Sequence, residues 1–519
     1  CYPRNKVMSI DSQQSTLDVQ QVQGIFSLYS TGQFKEALNA ANALLRSHPD
    51  EGILFTLAGL IHAAMLQYEP AIESLRRAIE LKPEVPDSYH FLGNTLLQKG
   101  DTTEAIDYFQ RAIELRPDYL EAHNKLCEGL ERSNRLEELE QALARAKEHC
   151  PGAHPALALR EAELLKRKGD VEAARARLEG SAWQAADDDT RETAAYLLAD
   201  LCDRLDAADD AFRYADEANR ITRASLAVQR VDPDAYFRLL DTLTRAFDEL
   251  DVSDWQTPDV TDDRADPVFL VGFPRSGTTL LNTILQTHSG VQVLEEVSTV
   301  YQLESEFLKT SGGYKDGLSK LDADGIGRLR RAYFDTVDAH VPRAEQASLL
   351  VDKLPLNLVH AGLIYRVFPQ ARFLFAQRHP CDAVLSCYLR NFRINEAMIS
   401  CTELSAAAKL YDRVMTLWSM YRDKFPLAVH TVRYESLISD FEATVSECLT
   451  FLGLEWEEGI RNYMHTEINR GRIGTPSYNQ VTEDLYTSAS GRWQRYQSHL
   501  EPVLPELLRW AERMGYAGT

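Results

Sequence analysis

Paired cysteines, long apolar runs and an excess of positive charge are all missing from this 519-residue chain. Its eight cysteines are scattered, and none forms a Cys-x-x-Cys pair. They read as free buried thiols in a reducing compartment, which points to a cytoplasmic protein. No apolar run is long enough to span a bilayer, and no signal-peptide pattern is present. The chain opens on Cys1, so its start is read either as truncated or as Met8. Lys and Arg number 56 against 78 Asp and Glu, a formal net charge of −22. Such a balance argues against a general nucleic-acid binder, because nothing offsets phosphate repulsion. The deficit is uneven: residues 267–519 hold 26 Lys and Arg against 29 Asp and Glu, a net of −3, leaving −19 in residues 1–266. An anionic ligand is therefore expected in the second half.

What the first half does have is a period. Pro49, Pro83, Pro117 and Pro151 are spaced by 34 residues, the tetratricopeptide step. Ala37, Ala71 and Ala105 keep the same step, continued by Leu139 and then Ala173, and Ala78, Ala112 and Ala146 form a second row. Small residues in register let the two helices of a hairpin approach closely, and each proline stops the second helix. Gly32 and Gly100 fall at the turns inside their hairpins, and Gly169-Asp170 is slipped by one residue. Ala194 to Arg223 reads as further helix, a cap on the array. The expected solenoid spans 18–225, with helix and linker over 226–266 and a second domain over 267–519. Its groove suits a peptide or protein partner; a spacer or a homodimer surface is the alternative use.

The second half opens on Pro267-Val-Phe-Leu-Val-Gly-Phe-Pro-Arg-Ser-Gly-Thr-Thr-Leu-Leu281, which reads as strand, tight turn and helix. Such a turn aims backbone N–H groups and a helix N-terminus at one point, and that point attracts an anion. The Gly272-x4-Gly277 spacing matches a Walker loop, but Thr278 stands where the Walker lysine belongs. An ordinary Mg·ATP site is therefore disfavoured, and Arg275 supplies the fixed charge. Further strands are expected over 348–354, 372–378 and 427–434, alternating with helices. This alternation implies a parallel α/β sheet with ligands at the carboxyl ends of its strands. Arg275, Lys353, Arg378, Arg433 and Tyr434 sit at those ends. Ser386 and Arg390, four residues apart, are expected on one face of the helix that starts at Pro380. With Arg378 they would clamp a second phosphate.

Pro274-Arg-Ser-Gly-Thr-Thr279 resembles the 5′-phosphosulfate loop of sulfotransferases, above all tyrosylprotein sulfotransferases and bacterial sulfotransferases fused to tetratricopeptide repeats. The resemblance covers the chain from about Pro267 onward. It implies an α/β P-loop-like fold behind an all-α solenoid. It also implies the sulfuryl donor 3′-phosphoadenosine 5′-phosphosulfate (PAPS), with no metal. By this resemblance Arg275, Ser276, Gly277, Thr278 and Thr279 hold the 5′-phosphosulfate, and Arg378, Ser386 and Arg390 the 3′-phosphate. Glu296, in Val291-Gln-Val-Leu-Glu-Glu296, falls at the position of the family's catalytic Glu and would deprotonate the acceptor hydroxyl. Glu295 is the alternative if the register slips, and His288 a weaker rival. Lys353, in Val351-Asp-Lys-Leu-Pro355, would stabilise the leaving oxygen together with Arg275. Ser477, Tyr486 and Arg492 fall in a late segment similar to the loop that closes over the nucleotide. Ser477 takes the position of a catalytic serine, Arg492 that of a basic residue touching the 3′-phosphate, and Tyr434 and Tyr486 those of nucleotide contacts. Arg275 in the loop and the Glu pair downstream side with the protein-tyrosine type. Three rival readings stand beside this one: a glycan or small-molecule acceptor, an adaptor that binds nucleotide without turnover, and a P-loop kinase.

Overall fold

The 34-residue step marks helix ends. The computed structural model describes residues 17–225, 228–252, 255, 264–341, 349–463 and 490–516. Five helical hairpins come first: α1/α2 (Val19–Ser30, Phe34–Ser47), α3/α4 (Gly52–Ala64, Tyr68–Leu81), α5/α6 (Pro86–Lys99, Thr102–Leu115), α7/α8 (Leu120–Arg132, Leu136–His149) and α9/α10 (Pro155–Arg167, Val171–Glu179). Helices α2, α4, α6 and α8 each stop two residues before a proline of the row. The residue before a proline is steered out of the α region, so the helix has to end there. Ala37, Ala71, Ala105 and Leu139 are fully buried between helices. In the fifth hairpin it is Ala174, not Ala173, that is buried, because the turn at Gly169 shifts the helix by one residue. First helices of successive hairpins also touch one another, so they line one continuous face.

The chain divides into two compact units, Cys1–Ala186 and Asp187–Thr519. The second unit begins with α11 (Asp188–Arg204), α12 (Ala208–Ala224) and α13 (Ala235–Asp248). It continues as β1 (Val268–Gly272), α14 (Thr278–Leu285), β2 (Val291–Glu295), α15 (Thr299–Ser311), α16 (Tyr314–Ser319), α17 (Ala323–His340), β3 (Leu349–Lys353), α18 (Ala361–Val367), β4 (Arg372–Gln377), α19 (Pro380–Tyr388), α20 (Leu404–Lys424), β5 (Ala428–Arg433), α21 (Tyr434–Ser439) and α22 (Phe441–Leu452). Short helices follow at α23 (Gln497–Leu500) and α24 (Leu504–Arg513).

All five strands pair in parallel in the order β2-β3-β1-β4-β5. Parallel strands covered on both faces need apolar residues on both, and β1 is buried at every position. The alternation of side chains sorts two layers. Val268 and Leu270 meet Leu281, Ile284 and Leu449 on one face. Phe269, on the other face, stacks with Phe373 and meets Tyr333. From β1 the chain runs to one side for β2 and β3, then crosses to the other for β4. This reversal at β1 opens a crevice at the carboxyl ends, where a ligand meets several strand ends at once. The strand at Val291–Glu295 is an addition to the sequence reading, which took that stretch only as the bearer of the Glu pair.

Candidate active site at the carboxyl edge of the sheet

The loop after β1 is closed by contacts that only glycine permits. A Cβ on Gly272 would lie 2.5 Å from the Ala376 carbonyl oxygen of β4. Gly277 has φ +95°, and a Cβ there would lie 2.8 Å from Tyr434 Cδ2. Ser276, Thr278 and Thr279 are buried around this turn. Arg275 takes φ 69°, a left-handed conformation that a residue with a Cβ adopts only when its surroundings hold it there. Its Nε donates to Ser386 Oγ at 3.1 Å. Arg378 follows β4 directly, and its Nη1 donates to the Arg275 carbonyl oxygen at 3.0 Å. The Arg378 guanidinium lies 4.8 Å from the centre of the Tyr434 ring.

Arg275, Arg378, Ser386, Arg390 and Arg492 therefore converge. The field they make is visible in Arg275 itself. Burial, together with the charges of Arg390, Arg378 and Arg492, pushes its guanidinium down to about 9. A guanidinium so perturbed marks a place where positive charge has been concentrated out of water. An anion relieves both causes at once.

One placement differs from the expectation. Helix α19 ends at Tyr388, so Arg390 lies in the turn beyond it and shares no helical face with Ser386. It is aimed by an ion pair with Asp200 of α11, Nη2 to Oδ1 2.7 Å. Arg492 is placed by two carboxylates that sequence reading passed over. Asp382 in the first turn of α19 accepts from Gly491 N and Trp493 N, both at 2.8 Å. Asp203 accepts from Arg492 Nη1 at 2.9 Å. Ser477 and Tyr486 lie outside the described residues.

A second cluster lies at the ends of β2 and β3. Lys353 is fully buried. Its Nζ stands 2.8 Å from Glu296 Oε1 and 3.0 Å from Glu295 Oε1. Successive strand residues point to opposite faces, so two adjacent carboxylates should not reach one ammonium. They do so because Glu296 leaves the strand with φ 52° while its N–H still donates to the Lys353 carbonyl oxygen at 2.8 Å. Glu296 retains 41% of its side-chain exposure and Glu295 25%, so the carboxylates, not the lysine, face the solvent side.

Asp352 supports this strand end from below. It accepts from Thr299 Oγ1, from Tyr333 OH at 2.9 Å and from Asn357 Nδ2 at 3.4 Å. Burial pushes its carboxyl up to about 6 against those hydrogen bonds. His288 is engaged elsewhere: Gly290 N–H donates to its Nδ1 at 3.0 Å, and Nε2 meets the Glu455 carbonyl oxygen at 2.9 Å. β1 alone separates β3 from β4, so the strand ends that bear Lys353 and Arg378 lie about 10 Å apart, two strand spacings.

This geometry accompanies a match of residues 267–458 to the sulfotransferase family. Residues 27–86 and 86–119 match tetratricopeptide repeats. The chain carries a sulfotransferase-family domain behind tetratricopeptide repeats. An uncharacterized protein of Aquifex aeolicus is 24% identical over 444 residues, 82% of this chain and 55% of its own length. A protein-tyrosine sulfotransferase of Drosophila melanogaster is 27% identical over 241 residues, 44% of this chain and 46% of that enzyme. The chain thus spans about half the length of these two relatives. Among solved structures, the sulfotransferase domain of the Synechococcus PCC 7002 olefin synthase aligns at 20% identity and TM-score 0.36, covering 51% of this chain and 100% of that one.

Within the sulfotransferase domain the five strand ends supply the candidate groups: Glu295 and Glu296 from β2, Lys353 from β3, Arg275 after β1, Arg378 after β4, and Arg433 and Tyr434 from β5. Arg433 is engaged by the C-terminal segment, its Nη2 donating to the Met514 carbonyl oxygen at 2.5 Å. Among the described residues no group of three His, Cys, Asp or Glu side chains is arranged to hold a metal, and no helix is long and apolar enough to cross a membrane.

Proposed function

We propose that this protein moves a sulfuryl group from PAPS to an acceptor hydroxyl, and that the acceptor is a tyrosine of a peptide or protein. The observation that carries the reading is the pairing of a buried cationic cluster after β1 and β4 with a Glu–Lys–Glu cluster after β2 and β3. A nucleotide with phosphates at both ends needs two anion sites. Loop amides and Arg275 suit one, and Arg378, Ser386, Arg390 and Arg492 suit the other. The Arg275–Ser386 hydrogen bond ties the two together. The donor supplies a sulfuryl group already attached to a phosphate leaving group.

In the reaction an S–O bond forms to the acceptor oxygen and the S–O bond to the phosphate breaks. The acceptor proton passes to Glu296, and the electron pair stays on the leaving phosphate oxygen. Glu296 is the better placed of the two carboxylates because it is the more exposed and turns out of the strand. Lys353 has two duties. Its ammonium holds the two carboxylates in place, and it answers the charge that grows on the leaving oxygen. Positioning and electrostatics suffice, as in phosphoryl transfer, and the chain's own cations supply the charge.

The protein-tyrosine type is supported by the relatives that bear that name and by the Glu pair. The line of first helices in the repeat unit supports a groove for the polypeptide acceptor or a partner. The seven cysteines among the described residues are buried free thiols, which fits a reducing compartment. Calorimetric titration with 3′,5′-adenosine diphosphate tests the donor site. Binding that is lost in Arg378→Ala supports it. Absence of binding to the wild-type protein, or preference for Mg·ATP, overturns it. Transfer of labelled sulfate to tyrosine peptides but not to glycans then decides the acceptor.

A further inference from the structure

The hairpin α11/α12 belongs to the same compact unit as the sheet and is bolted to one end of α19. Asn219 Nδ2 donates to the Tyr388 carbonyl oxygen at 3.0 Å, and Tyr388 OH donates to Asp216 Oδ1 at 3.0 Å. Two residues further on, Arg390 meets Asp200. Asp200 and Asp203 are three apart on α11, so they share a face. Both are buried, at 7% and 4% exposure. Burying a carboxylate is costly unless cations and donors meet it, and here the sulfotransferase segments supply Arg390 to Asp200 and Arg492, Arg495 and Tyr496 to Asp203. Asp200 takes Arg390 and, within its own helix, Arg204 Nε at 3.2 Å. Asp203 takes Arg492 Nη1 at 2.9 Å, Arg495 Nη2 at 3.1 Å and Tyr496 OH at 2.7 Å. Its own carbonyl oxygen takes Arg495 Nη1 at 3.0 Å.

We propose that Asp200 and Asp203 are positioning residues of the 3′-phosphate subsite, so that α11/α12 is a working part of the donor site and not a cap on the repeats. This rests on the donor assignment above. A guanidinium is a rigid plane with donors on several edges. Held at one edge by a carboxylate, its plane is fixed and another edge is presented to a phosphate. Two such arginines, one from the turn after α19 and one from the segment 490–496, bring like charges on long side chains to one site and repel each other. The neighbouring carboxylates offset that repulsion and set both planes. Asp203 also pins Arg495 and Tyr496, and Asp382 pins Gly491 and Trp493, so the segment bearing Arg492 is gripped from two sides.

The test uses the full chain with Asp203→Asn and Asp200→Asn, each titrated calorimetrically with 3′,5′-adenosine diphosphate and with 5′-adenosine monophosphate. The dissociation constant of the monophosphate divided by that of the diphosphate is the ratio that reads the 3′-phosphate alone. Partners that orient a ligating group are worth about 10- to 100-fold at metal sites, and a fall in the ratio of about tenfold is expected, with monophosphate binding little changed. A ratio equal to that of the wild type overturns the positioning role. A higher ratio does so too, because it would make the carboxylates competitors of the phosphate. Weakening of both ligands in parallel assigns the pair to stability alone and also overturns it. Should Asp203→Asn fail to fold, Asp200→Asn, which has fewer partners, decides. A wild-type ratio near one overturns the donor assignment itself. A wild-type preference kept in both variants overturns only this inference.

Discussion

Buried charge is the feature that single residues contribute. Lys353 has no exposed surface and meets two carboxylates, so its removal leaves two acids facing each other. Glu296→Gln keeps the shape and one hydrogen-bond acceptor but removes the base. The expected outcome is a fall in kcat of about a hundredfold to ten-thousandfold, the usual worth of a positioned base, with binding of 3′,5′-adenosine diphosphate retained. Single-turnover transfer alongside calorimetry checks both halves, and undiminished turnover would move the base to Glu295.

Asp352 makes a prediction about pH. Its folded-state carboxyl, at about 6, lies above the unfolded value of about 3.9. The native state therefore holds a proton the unfolded chain gives up, and Asp352 costs stability as pH rises from about 4 to about 6. Below that window the cost vanishes, and above it the cost is constant. Asp352→Asn removes the titration while still accepting from Thr299 and Tyr333. Measured by denaturant midpoint, the variant should gain on the wild type by about 2 kcal/mol more at pH 7 than at pH 4. A constant difference across that range would contradict the argument.

At the scale of elements, the turns between helices carry a similar signature. Gly32, Leu66, Gly100 and Asn134 follow the 34-residue step, and all four have positive φ. Glycine and asparagine tolerate this conformation, but leucine does not, and Leu66 is 57% exposed, so its side chain gains little from packing. Leu66→Gly should therefore stabilise the repeat unit by about 1 kcal/mol, the relief of one left-handed residue less the added chain entropy. A higher urea midpoint for the repeat-unit transition, read by far-ultraviolet circular dichroism, is the check. The loop after β1 should respond in the opposite sense. Gly277→Ala would bring Cβ against the Tyr434 ring and force φ away from +95°. Loss of nucleotide binding with the fold intact is expected, because the loop amides move with the ring.

At the scale of the whole molecule, two compact units part at Ala186, inside what the repeat pattern suggests is one array over 18–225. A fragment of residues 187–519 should therefore keep 3′,5′-adenosine diphosphate binding. A fragment of residues 267–519 should lose it, since Arg390 and Arg492 would lose Asp200 and Asp203. Equal affinity of the two fragments would show that the hairpin is dispensable.

Much of this was written locally. Prolines at a fixed step end helices, apolar runs make strands, and two glycines close a loop, because each acts through its own backbone or its nearest neighbours. Those signals sufficed for the repeats, for four of the five strands and for the candidate cations at their ends. The strand at Val291–Glu295 escaped because it is short and carries Gln292 and Glu295 among its apolar residues. The end of α19 before Arg390 escaped because nothing in Leu389-Arg390-Asn391 breaks a helix by itself. What no local pattern could reveal is the set of carboxylates that aim the arginines. Asp203 and Arg492 are separated by 289 residues, and Asp200 and Arg390 by 190. To the sequence these aspartates are acidic residues on a helix that could as well face water. Only the folded chain buries them, and burial turns an ordinary solvated charge into one that must find a cation.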